Sequence, residues 1–303
     1  MGDTKEFLEE MISQVGGRKP VVEMNDIMAY RAQQRAKGNP VAEVMDGLPQ
    51  IYSGDQFPQQ YELKKRKPLV DGLFRAGDNV LLSGPPKMGK SWFYSTLAIC
   101  MASGEKFMDL DVAKCNILMV DLELHRDDVM GRLWDIAQAM GMKTVPKDLY
   151  LWSLRGAQYD LDTFVEVIRH RLDSLPEMDA IFIDPIYLLE GDGSFDENSN
   201  SAVTTLLREL QQIVKERGSA LMLSHHYRKG NMGKENHIDR TSGAGAFNRF
   251  PDSMMTLSYH DEPYHAILEV TGRSMPSMKP FSIRMVPPKI ERRDLEPKHK
   301  SWK

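Results

Sequence analysis

One stretch constrains this chain more than any other: Gly84-Pro85-Pro86-Lys87-Met88-Gly89-Lys90-Ser91, which satisfies the pattern G-x-x-x-x-G-K-[ST] at every fixed position. Its surroundings fit the same reading. Asn79 to Ser83 is a short apolar run suited to a buried parallel strand, and Trp92 to Ala102 continues without a breaker, as a helix does. A strand that passes through a glycine-containing loop into a helix N-terminus forms a phosphate cradle, because loop N–H groups and the positive end of the helix dipole both face the anion. Gly84, Pro85, Pro86, Lys87, Met88, Gly89, Lys90, Ser91 and Trp92 are therefore the expected nucleotide-binding residues. Lys90 is expected to reach the β- and γ-phosphates, and the Ser91 hydroxyl to hold magnesium.

The rest of the chain says what kind of fold holds this loop. From Leu69 onward, apolar strands alternate with helical patterns: strands at 116–121, 149–154, 178–184 and 220–224, and helices at 125–140, 162–172 and 201–217. That alternation predicts an α/β fold with a mostly parallel central sheet flanked by helices. Three later segments, 254–259, 266–271 and 281–285, alternate apolar and polar residues, as half-buried antiparallel strands do. Residues 1–65 carry too few large apolar side chains for a core of their own and read as an N-terminal helical arm or linker. Residues 66–290 form the expected catalytic domain, and 291–303 a charged C-terminal tail. Two polar segments, 191–200 and 228–242, read as loops; the second is long enough to suggest a function.

Charge and cysteine usage exclude several classes. A net charge of −4 rules out a chain that is basic overall, so any nucleic-acid contact must come from a local patch or from assembly around a pore. The two cysteines, Cys100 and Cys115, lie in apolar surroundings and are too few for a disulfide scaffold. No apolar run approaches the ~18 residues of a membrane span, and the first residues lack the pattern of a secretory leader. The chain reads as cytoplasmic.

Several residues are placed to do chemistry beside the loop. Asp184 ends an apolar strand downstream of it and is the expected magnesium-holding carboxylate. Glu123, in Val120-Asp121-Leu122-Glu123, is the candidate that positions and deprotonates water, with Asp121 as its rival. His225 and His226 end the fifth strand, where a polar side chain can contact the γ-phosphate; with no third ligand at a plausible spacing, they do not read as a zinc site. The cationic, glycine-containing run from Arg228 to Arg240 suits contact with a phosphate backbone without base readout. Arg273 and Arg249 are candidates for an arginine supplied across a subunit interface.

Together these motifs resemble the RecA-type ATPase core of the plasmid RepA-type hexameric helicases and, more distantly, the DnaB-type replicative helicases and RecA. The resemblance runs from about residue 66 to 288. It implies catalytic roles for Lys90 and for Glu123 as base, a Walker B role for Asp184, and a γ-phosphate sensor at His225, in Leu223-Ser224-His225-His226. It favours Arg273, in Thr271-Gly272-Arg273-Ser274-Met275-Pro276, over Arg249 as the arginine finger, although Thr271 stands where the family usually has lysine. It implies ATP and Mg2+ as ligands, single-stranded DNA as partner, and a homo-oligomer forming a six-membered ring that translocates on DNA in plasmid or phage replication. Two other readings stand beside it: a small-molecule kinase, for which neither an arginine-rich lid nor an acceptor pocket is evident, and a non-translocating, ATP-gated regulator or loader of replication or recombination.

Overall fold

The apolar runs between the turns become strands because both of their faces are covered. The computed structural model describes residues 53–54, 66–157, 161–189, 200–226, 246–276 and 278–299. A small antiparallel pair, β1 (Pro68–Val70) and β2 (Phe74–Arg75), precedes β3 (Asn79–Gly84), which is buried along its whole length and delivers the chain into helix α1 (Lys90–Ser103). The chain continues through β4 (Ile117–Asp121), α2 (Arg126–Ala139), β5 (Leu149–Ser153), α3 (Leu161–Asp173) and β6 (Ala180–Asp184). A turn of 3-10 helix, Ile186–Leu189, follows, then α4 (Asn200–Arg217), β7 (Ala220–His226) and the single-turn α5 (Ala246–Arg249). Four strands close the chain: β8 (Ser253–Tyr259), β9 (His265–Gly272), β10 (Met278–Val286) and β11 (Lys289–Arg293).

The large sheet has nine strands in the order β11-β10-β9-β8-β3-β7-β6-β4-β5. Strands β8, β3, β7, β6, β4 and β5 are parallel, and β9, β10 and β11 extend the sheet antiparallel. Alternate residues of each central strand enter different cores. Val80, Leu82, Ile117, Met119, Phe182 and Met222 pack with α1 and α2, whereas Leu81, Leu118, Val120, Ile181, Ile183, Leu221 and Leu223 pack with α3 and α4. A strand covered on both sides needs apolar residues at every position, which is why these strands show no alternation in the sequence. Tyr94 ties α1 to the sheet: its hydroxyl donates to the carbonyl oxygens of Ile183 (3.2 Å) and Met222, bridging β6 and β7 from below.

The late strands differ from the sequence reading in two ways. The segment expected as the first of three antiparallel strands, β8, pairs parallel to β3 on one side and antiparallel to β9 on the other. With a neighbour on each edge and six of its seven residues buried, it belongs to the sheet's interior. The expected boundary at residue 290 falls inside β11, whose charged residues lie on an outermost strand with Ile290 buried beneath them. Residues beyond β11 also have partners: His299 forms a bridge with His260 and approaches Ser258 Oγ at 3.1 Å. The N-terminal arm and the loops at 191–199 and 227–245 lie outside the described residues. No described helix is long and apolar enough to cross a membrane. Both cysteines are free and buried, and burial pushes each thiol up to about 12.

Candidate active site

The parallel strands present their C-terminal ends along one edge, and the phosphate-loop sequence sits at that edge, at the end of β3. Two glycines set its shape. A Cβ on Gly84 would lie 3.0 Å from the carbonyl oxygen of Leu257 on β8, so the neighbouring strand leaves no room for a side chain. Gly89 caps α1 with φ +93°, in the left-handed region that only glycine enters without strain. Pro86 and Lys87 face solvent and Met88 is buried, which anchors one side of the loop and leaves the other open.

Lys90 opens α1 and is itself buried, at 7% exposure. Its ammonium donates to the carbonyl oxygens of Gly84 and Pro85, each at 3.0 Å, so it folds back across the loop it follows. Burial pulls its pKa down to about 8, against the opposing pull of the Asp184 and Glu123 charges. That pull is the electrostatic sign that these two carboxylates and the lysine share one site.

The two carboxylate strands are in register, with Asp121 of β4 opposite Asp184 of β6. Asp184 is buried, and its Oδ1 accepts a short hydrogen bond from the Ser224 hydroxyl on β7. No other described residue bonds this carboxylate, so Oδ2 is available to a hydrated cation. Asp121 is committed elsewhere. Its Oδ1 accepts the backbone N–H groups of Glu123 (3.1 Å) and Leu124 (2.7 Å), an arrangement that shapes the turn between β4 and α2. Burial, with the neighbouring Asp184 charge, raises its pKa to about 6. Glu123 stands on that turn with its side chain exposed. Of the two rival acids, Asp121 builds the turn and Glu123 is the one presented by it.

His225 is placed differently from a residue at an open edge. It lies opposite Ser83, one register step below Gly84, fully buried, with its ring stacked on Phe247 at 4.2 Å between centroids. The backbone level with Gly84 is that of His226. Arg273 is not brought to this edge at all. It follows β9 at the opposite end of the sheet, where Gly272 pairs with Ser253 and Ser253 with Val80. Its guanidinium lies 3.5 Å from Asp252 Oδ1 and donates to the carbonyl oxygen of Arg249. The two candidate finger arginines are thus neighbours, separated from the loop of their own chain by the length of β3, roughly 20 Å.

One residue at the site escaped the sequence reading. Arg132, on α2, lies over the Trp92 ring with its guanidinium carbon 4.6 Å from the ring centroid. Burial lowers its pKa, opposed by the charges of Asp184, Asp121, Asp128 and Glu123. The only signal in the sequence is an arginine on the inner face of a helix that follows the carboxylate turn.

A divalent cation fits this donor set. One hydroxyl (Ser91) and one buried carboxylate (Asp184) suit magnesium, which keeps several waters and takes the remaining oxygens from phosphate. Among the described residues no cluster of three or more His, Cys, Asp or Glu forms a site enclosed by protein ligands alone.

Comparison with known proteins follows from this geometry. Residues 54–232, more than half of the chain, match the AAA domain family. No curated protein matches the sequence. Among solved structures, a DnaB-like replicative helicase, described with its interactions with primase, superposes with a TM-score of 0.58 at 14% identity, covering 86% of this chain and 74% of that one. The ATPase domain of G40P gives 0.53 at 14% identity, with 70% and 82% covered, and the RadB recombinase 0.53 at 12% identity, with 72% and 91% covered. At these identities the likeness is one of fold, and that fold is a RecA-like P-loop core.

Proposed function

The chain belongs to the AAA domain family and is a RecA-like P-loop ATPase, and from that premise we propose that it couples ATP hydrolysis to movement on single-stranded DNA as a replicative-helicase-like motor. The observation that carries the chemistry is the gathering of Lys90, Asp184 and Glu123 at the C-terminal edge of the sheet, with each carboxylate felt by the buried lysine. The loop N–H groups and the N-terminus of α1 bind the β- and γ-phosphates, and Lys90 exchanges the carbonyls of Gly84 and Pro85 for phosphate oxygens. Ser91 and Asp184 would hold Mg2+, which neutralises charge on the phosphates when bound. Glu123 orients a water in line with the terminal phosphate and takes its proton, and the departing ADP oxygen stays screened by Lys90.

His225 reports the state of the terminal phosphate through the end of β7 to the segment 228–240, which contacts the DNA backbone. Arg273, pinned at the far edge beside Arg249, serves a neighbouring copy and not its own loop; this supports a ring, six-membered by the family resemblance, in a cytoplasmic protein acting in plasmid or phage replication. A second reading keeps the ATPase and drops the translocation. It draws support from the fold being shared to a similar extent with the RadB recombinase (TM-score 0.53), and it makes the protein an ATP-gated regulator or loader on DNA.

Strand displacement from a forked duplex, measured together with ATP hydrolysis with and without single-stranded DNA, tests the proposal. Stimulated hydrolysis with displacement supports the motor. DNA binding gated by ATP without displacement supports the regulator, and normal hydrolysis by Lys90→Ala refutes the site itself.

A further inference from the structure

Among the described residues, Arg132 is a cation at the site for which the hydrolytic scheme has no use. It projects from the second turn of α2, on the same side of the sheet as α1, and the Trp92 ring holds one face of its guanidinium. Nε and Nη1 are both buried and have no hydrogen-bond acceptor among the described residues. A buried guanidinium normally satisfies its N–H groups, so two idle donors at a reaction centre call for a partner that arrives later.

The neighbouring acids differ in their readiness to be that partner. Asp121 Oδ1 already accepts two backbone N–H groups, and Asp184 Oδ1 accepts from Ser224 while the carboxylate faces the cation site. The Glu123 carboxylate and that of Asp128, one turn before Arg132 on α2, are both exposed and have no hydrogen bond or ion pair among the described residues; of the two, Glu123 is the one whose charge also acts on Lys90 in the phosphate loop. Glu123 stands on the turn that leads directly into the helix bearing Arg132, and its charge joins those of Asp184, Asp121 and Asp128 in stabilising the charged guanidinium against burial. An idle acceptor and two idle donors therefore sit on one short stretch of chain, with the donors already fixed in place by an aromatic platform.

We propose that Arg132 is the positioning residue of Glu123. When nucleotide fills the loop, the Glu123 carboxylate turns inward and accepts a hydrogen bond from the Trp92-held guanidinium, which leaves the other carboxylate oxygen aimed at the attacking water. This inference rests on the reading of Glu123 as the hydrolytic base. It assigns Trp92 a mechanical role, as the plate against which the guanidinium lies, and it places no contact between Arg132 and the nucleotide.

The test uses the full chain with ATP, Mg2+ and saturating single-stranded DNA. Arg132→Gln should lower kcat about 100-fold, the scale expected when a reacting group is misplaced by about an ångström, with KM for ATP unchanged within about twofold. Added to Glu123→Gln, it should cost nothing further, because the guanidinium acts only through that carboxylate. A fluorescent ATP analogue should bind Glu123→Gln and the double variant equally. Arg132→Lys keeps the charge over Trp92 and serves if the glutamine variant folds poorly; it should also lose kcat without change in KM. Additive losses in the cycle, a raised KM, or weaker analogue binding in the double variant would overturn the assignment. If Lys90→Ala and Glu123→Gln are inactive while both Arg132 variants turn over at the normal kcat, this inference alone falls. If Glu123→Gln retains full turnover, the hydrolytic reading falls first.

Discussion

Replacing Lys90 by methionine should destroy hydrolysis and at the same time make the nucleotide-free protein more stable. The ammonium is buried, and its pKa stands at about 8 against an ordinary 10.5. At neutral pH that difference corresponds to about 3 kcal/mol held against the charged side chain in the folded state. Methionine matches the length of the lysine stem without the charge. It gives up the two hydrogen bonds to the carbonyls of Gly84 and Pro85, at about 1 kcal/mol each, which offsets about 2 kcal/mol of the gain. A net increase of roughly 1 kcal/mol remains, or about 2–4 °C in Tm for a domain of this size.

The pH dependence gives the reasoning a second hold. Below pH 8, lysine is charged in both folded and unfolded chains, and the variant keeps its full advantage. Between pH 8 and 10.5 the unfolded chain binds the proton that the folded one has released, so the wild type gains stability as pH rises. Between pH 7 and pH 9.5 the difference should move by roughly 2 kcal/mol in favour of the wild type, which then becomes the more stable of the two. Differential scanning calorimetry at pH 7.0 and 9.5, without nucleotide, measures both quantities. ATP with Mg2+ should then raise the Tm of the wild type and leave that of the variant unchanged. A methionine variant no more stable than the wild type at pH 7, or a gap that ignores pH, would refute the view that the loop stores a strained charge for the phosphates to relieve.

Three further substitutions probe the rest of the site. Glu123→Gln should cut the ATP turnover number by about 10²–10⁴-fold while nucleotide affinity, measured by titration, stays near that of the wild type. Gly84→Ala should drive a methyl group against the Leu257 carbonyl; the expected cost is about 1–3 kcal/mol in chemical denaturation, with weaker nucleotide binding because the loop must shift. Arg273→Ala should leave ATP binding intact and reduce turnover by about 10³-fold or more, and mixing it with Lys90→Ala subunits should restore part of the activity, since an arginine supplied in trans needs only one good partner at each interface.

How much of this was legible in the sequence depends on whether a residue's role is local. Gly84, Gly89, Lys90 and Ser91 are tied to one another by chain geometry, because a strand end, a loop and a helix start fix their spacing. The central strands were legible for the same reason, since burial on both faces leaves an unbroken apolar run. What the sequence could not supply is what crosses between elements. The late strand β8 reads as one of three similar segments, and only its pairing with β3 moves it from the antiparallel extension into the middle of the sheet. The charged run of β11 looks like a tail because an outermost strand buries little, and a single residue, Ile290, does most of the packing. In the sequence Asp121 stood as a rival to Glu123, and only the turn shows the Asp121 carboxylate spent on backbone N–H groups and the other left over.

Arg132 is the sharpest case. Nothing in its neighbours along the chain sets it apart from a surface arginine, and its significance arises only where α2 meets the first turn of α1, with Trp92 beneath it and the carboxylates of β4 and β6 nearby. The same logic explains why Arg273 fails to meet the loop of its own chain. A RecA-like sheet puts phosphate chemistry at the C-terminal ends of its parallel strands, and an antiparallel strand such as β9 necessarily ends at the other side. An arginine placed there is out of reach in cis, so any part it takes in hydrolysis must be played across an interface, and an isolated subunit should hydrolyse ATP no faster than its Arg273→Ala variant.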